Sequence, residues 1–115
     1  TKQHAVAQMR IMLEQARAMF LQSVREARVD PDADARLRLL ASHHTVMENA
    51  NALCTLAIRT CGGASMLKSM PLERLYRDSR CGSLMLPWTA ELCLDQLGRD
   101  SLYDSGEGDE AIEQL

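Results

Sequence analysis

A chain of 115 residues has room for one domain. Its net charge of −3 excludes the strong basic field of a nucleic-acid binder, and no apolar run approaches the roughly 18 residues of a membrane span. The apolar residues are mainly Leu, Met, Ala and Ile. With Phe20, Tyr76, Trp88 and Tyr103 as the sole aromatics, that balance favours helices over sheets.

From the amino end, Val6, Met9, Leu13, Ala16, Phe20, Val24 and Ala27 recur at spacings of three and four, which predicts one amphipathic helix over residues 3–28. Val29-Asp30-Pro31-Asp32-Ala33-Asp34 predicts a turn, with Asp30 or Asp34 capping the next helix. That second helix is expected from about Asp32 to Cys61. Its buried stripe runs through Leu37, Leu40, His44, Met47, Ala50 or Asn51, Cys54, Ala57 and Cys61. Gly62-Gly63 ends it, because glycine enters the left-handed region without steric cost. Pro71 starts a short helix through about Arg80, and Cys81-Gly82-Ser83 breaks it. Pro87 starts a last helix that Gly98 stops.

The expected fold is all-α: an antiparallel helical hairpin plus two shorter helices, forming an incomplete four-helix bundle. The domain spans residues 1–103, and residues 104–115 read as an acidic flexible tail. Such a hairpin leaves an apolar face uncovered, to be packed by a further helix or by another copy of the chain. Cys54, Cys61, Cys81 and Cys93 form no Cys-x-x-Cys pair and have no secretory leader near them. They read as reduced thiols serving as small core residues in a cytoplasmic protein. An opening at Thr1, already in helical sequence, is expected of a piece of a longer polypeptide.

Gly62-Gly63, followed by Pro71-Leu72-Glu73-Arg74-Leu75-Tyr76-Arg77-Asp78-Ser79-Arg80, resembles the carboxyl-terminal segment of flavin-dependent acyl-CoA dehydrogenases. The opening Gln3-His4-Ala5-Val6 is similar to the family's entry to a long helix. The resemblance covers residues 2–99 and is strongest from Arg59 to Leu92. It implies the last, helical domain of a three-domain oxidoreductase, without its first long helix and without the two preceding domains. It further implies FAD, an acyl-CoA-type substrate and a homo-oligomer, dimer or tetramer.

In the family, the turn at the glycine pair reaches the FAD of a neighbouring subunit. The resemblance therefore implies cofactor-binding roles for Gly62 and Gly63. Arg59, standing where the family usually has glutamine, can still pair with a pyrophosphate. The resemblance also implies cofactor-binding roles for Thr89 and for Glu91, which matches a family position near the flavin's adenosine side. The family's catalytic glutamate, which removes the substrate's α-proton, aligns with Leu86 or, with one residue inserted, Pro87. Neither accepts a proton, so no catalytic residue is assigned. Two alternatives stand beside the dehydrogenase: a flavin monooxygenase of the same fold, and a non-catalytic helical interaction module. Arg77 and Asp78 read as a structural ion pair or hydrogen-bond set that holds the short helix. His44 and Glu48 share a helical face but need ligands from a second element, so no metal site is assigned. Trp88 reads as a core or interface anchor.

Overall fold

The computed structural model describes residues 1–103. The expected tail at 104–115 lies outside the described residues. Four helices run in order: α1 (Lys2–Glu26), α2 (Ala33–Cys61), α3 (Leu72–Gly82) and α4 (Ala90–Leu102), with a short 3₁₀ turn at Gly63–Met66 after α2. The expected all-α fold, with a long hairpin and two shorter helices, is what forms. α1 packs on α2, and α3 and α4 each pack on α2 as well. α2 is therefore the central element, and every residue from Leu40 to Asn51 is at least half-buried.

Local chemistry explains most helix ends. Thr1 caps α1 by accepting from the His4 amide at 3.2 Å. Asp32 caps α2 by accepting from the Ala35 amide at 2.8 Å, not Asp30 or Asp34 as the sequence suggested. Asp34 falls inside the first turn, where the helix dipole favours a carboxylate. Gly62 closes α2 at φ +80°, as its residue type predicts.

Three expected boundaries are wrong. Cys81 and Gly82 are the last residues of α3 and do not break it. Pro87 does not start the last helix: Thr89 caps α4, and Gly98 lies inside it. A single glycine in a helix costs only about 1 kcal/mol against alanine, which neighbouring turns and packing overcome.

The buried seam of α1 is also rotated from expectation. Its half-buried residues are Ala5, Met9, Met12, Ala16, Met19, Ser23 and Glu26, a strict alternation of four and three. Met9 and Ala16 belong to the expected stripe. Val6, Leu13, Phe20 and Val24 do not face α2 and are 40–57% exposed. They form an adjacent apolar strip about 27 Å long at 1.5 Å per residue. The apolar sector of α1 is thus wider than one neighbouring helix covers.

Polar bonds fix the hairpin register. The Asn49 amide nitrogen donates to the Met12 carbonyl and to Gln15 Oε1, both at 3.1 Å. At the turn end, Arg38 Nε bonds both Glu26 carboxylate oxygens, at 3.1 and 2.8 Å. On the far side, α3 meets α2 so closely that a Cβ on Gly82 would overlap the Met47 side chain.

Among the described residues, only Leu40 and Cys93 are buried apolar side chains, and Cys93 alone is fully so. The radius of gyration is 17.7 Å, against about 13 Å for a compact domain near 100 residues. The bundle is open, as an incomplete one must be.

The two helical glycines should respond differently to an added methyl group. Gly98→Ala has open space for its Cβ and should stabilise the chain by about 0.5–1 kcal/mol. Gly82→Ala should not give that gain, because Met47 must move. Urea denaturation of Gly82→Ala with and without Met47→Ala tests the point, and strict additivity of the pair would refute it. The Glu26 carboxyl is held below its ordinary 4.5, first by the Arg38 hydrogen bond and then by Gln22. A depressed carboxyl stabilises the fold above its unfolded value and loses that contribution as pH falls through its folded value. Glu26→Gln should therefore be less stable than the parent sequence near neutrality. Its deficit should shrink below pH 4.5, which denaturation midpoints across the acid range can test.

Candidate functional site

The carboxyl end of α2 gathers Arg59, Gly62 and Gly63. Arg59 is exposed in the last turn, where its cation also complements the helix dipole. It closes one end of a groove of about 470 Å³ between α1 and α2, with Ile11, Met12, Ala52 and Leu56 as its apolar walls. No carboxylate among the described residues pairs with Arg59.

Gly62 donates its amide to the Ile58 carbonyl at 2.8 Å and turns the chain out of α2. Its positive φ accounts for the residue type. Gly63 is different. Its φ is not in the left-handed region, and a Cβ built on it would meet nothing within 4 Å. Neither backbone geometry nor internal crowding requires glycine there. The pair presents a bare, exposed backbone surface three and four residues after Arg59.

Thr89 and Glu91 sit elsewhere. The Thr89 hydroxyl accepts from the Leu92 amide at 3.2 Å and so caps α4. Glu91 is exposed in that helix's first turn. The preceding loop is tied to α2 by His43, whose Nε2 lies 3.1 Å from the Trp88 carbonyl oxygen. His43 and Arg59 are 16 positions apart on α2, about 24 Å along the helix axis. The five candidate residues therefore form two groups: Arg59, Gly62 and Gly63 at one end of α2, Thr89 and Glu91 beside its first half.

Leu86 and Pro87 are exposed in the loop before α4. Trp88 is 41% exposed and lines a cavity of about 510 Å³ with Leu37, Leu39 and Leu40. In the described chain it is not a core residue. Arg77 bonds Glu73 through Nε at 2.9 Å, one turn earlier, so the ion pair on α3 uses Glu73 in place of Asp78. The pairing obeys helical spacing: residues four apart face each other and adjacent ones do not.

The cysteines divide by position. Cys93 is fully buried, Cys54 half-buried, and Cys61 and Cys81 exposed. The core role expected of all four thus holds for Cys93 and partly for Cys54. Burial pushes the Cys93 thiol up from its ordinary value. An aromatic disulfide reagent at neutral pH should modify Cys61 and Cys81 quickly and Cys93 only on unfolding. Rapid reaction of all four in the folded chain would contradict this burial.

Two contributors leave no mark in the sequence pattern. Ser65 is buried beside the glycine turn, and Ser83 is buried with a hydroxyl that finds no partner among the described residues. Short polar residues in loops carry no periodic signal, so nothing distinguishes them from their neighbours before the chain is folded.

Comparison with known proteins gives one match. The family model described as acyl-CoA dehydrogenase, C-terminal domain, matches residues 1–102. No curated protein and no solved structure matches the chain.

Proposed function

Since the chain belongs to the family of acyl-CoA dehydrogenase C-terminal domains, we propose that it serves an FAD-dependent oxidoreductase of that type. Its part is to join subunits and to complete flavin sites. The observation that carries this reading is Gly63. Four of the five candidates also have a local structural account: Gly62 stops a helix, Thr89 caps one, and Arg59 and Glu91 complement helix dipoles. Gly63 has none, and an open backbone surface four residues after Arg59, which pairs with no carboxylate among the described residues, fits a flat, phosphate-bearing ligand.

The two groups of residues along α2 suit FAD. Arg59 would offer charge to its pyrophosphate. Gly62 and Gly63 would allow close approach of its adenosine end, and Glu91 and Thr89 would contact a flavin from the α4 side. FAD, when bound, supplies a two-electron acceptor. The two groups lie about 24 Å apart along α2, so we assign them to two different flavins in an oligomer. The strip of Val6, Leu13, Phe20 and Val24 supports assembly, because an isolated chain leaves it in water.

The chain's own residues supply no proton acceptor at the family's usual base position. Leu86 and Pro87 are hydrocarbon side chains on an exposed loop. A base for an acyl-CoA substrate would have to come from outside the described residues. The same absence fits a monooxygenase or a non-catalytic member of the fold, and flavin content separates the last from the other two.

Calorimetry should give no saturable heat between FAD and the 115-residue chain at low micromolar flavin, while sedimentation should detect a dimer or larger species. In the flavin-loaded oxidoreductase that carries this domain, Glu91→Gln should lower turnover modestly, and added FAD should restore most of it. A loss of about 10²-fold or more with flavin fully bound would make Glu91 the base and overturn the assignment.

A further inference from the structure

Within the segment from Cys61 to Leu67, Ser65 alone is buried, at 2% exposed, while the residues on both sides of it are open to solvent. Its hydroxyl donates to the Gly62 carbonyl at 2.6 Å. Its own amide donates to the same carbonyl at 3.1 Å. Gly62, in turn, donates its amide to Ile58 in the last turns of α2 at 2.8 Å. The residue that turns the chain out of the helix is thus tied on both sides, through its N–H to α2 and through its C=O to Ser65.

That double tie matters because of what it holds. Glycine has the widest conformational range of any residue, and an unrestrained pair would lose much freedom when a ligand settles on it. Ser65 removes that freedom in advance. A buried hydroxyl making one short bond within its own turn stiffens the turn and reaches nothing beyond it.

We propose that Ser65 is a positioning residue for the flavin contact at the α2 end: it locks the Gly62–Gly63 surface in a fixed orientation to the last turn of α2. The inference rests on the flavin reading above. Ser65 does not touch the ligand. It lowers the ordering cost of binding by keeping the bare backbone surface in one arrangement.

The test uses the flavin-loaded protein that carries this domain, with FAD dissociation constants measured well below the melting temperature. Ser65→Ala should weaken FAD by about tenfold, the effect of one well-made hydrogen bond in a preorganised site. Gly63→Ala and Arg59→Ala serve as controls for the underlying reading, and both should also weaken FAD. If the controls weaken binding and Ser65→Ala only lowers the melting temperature, the positioning role is overturned and the flavin reading stands. If neither control changes the dissociation constant, or the protein takes up no FAD, both fall. Hydrogen exchange of the unmodified protein adds a measurement independent of any variant's folding. The Ser65 amide should be protected before FAD is added and gain little on binding. Fast exchange that slows only with FAD would mean that the ligand orders the turn, and would overturn the proposal.

Discussion

The seam between α1 and α2 carries the rest of the structure. Met9, Met12, Ala16 and Met19 line it on α1, and the Asn49 bonds to Met12 and Gln15 set its register. The Glu26–Arg38 pair holds the two helices at the turn end. Both partners reach solvent there, so its value lies in geometry more than in energy. Because α3 and α4 both pack on α2, any slip of that seam would move every candidate residue at once. Long helices packed side by side resist such slips, since each side chain sits between two others one turn apart.

An open bundle explains why the chain's chemistry sits on its surface. With only Leu40 and Cys93 buried among the described apolar side chains, this domain has little interior in which to enclose a cofactor. What it offers instead are edges: a glycine turn beside a cation at one end of α2, and a capped helix start carrying a carboxylate on its flank. Such features bind well only when another surface completes them, because an exposed charge pair in water is worth little. Under the flavin reading, the distance between the two groups turns that incompleteness into an assembly rule. On that reading one subunit would contribute to more than one flavin, and the wide apolar sector of α1 would supply the area that brings copies together.

Several candidate residues have a structural role of their own. Thr89 satisfies an orphan amide at the start of α4, and Glu91 and Arg59 favour the ends of the helices that bear them. Mutating them therefore perturbs local stability along with any binding role. Gly63 and Ser65 separate the two effects more cleanly. Gly63 is exposed and structurally free, while Ser65 is buried and acts only through Gly62.

The all-α class, the long hairpin, the Gly62 helix stop and the resemblance to acyl-CoA dehydrogenases are all legible along the chain. They rest on periodicity, on residue types with one strong backbone preference and on an ordered motif, each of them local. The inability of Leu86 and Pro87 to accept a proton is legible too, since it depends only on side-chain chemistry. Packing alone selects which apolar face of α1 turns inward, because Val6, Leu13 and Phe20 compete with Ala5, Met12 and Met19 at nearly equal helical spacing. Gly98 stays helical between the flanking turns of α4, and the path of the turn makes Asp32, of three aspartates, the cap. The fold separates Arg59 and the glycine pair from Thr89 and Glu91, and puts Ser65 under the turn. Those outcomes depend on contacts between residues far apart in the chain or on the exact path of a loop, and neither leaves a period in the sequence.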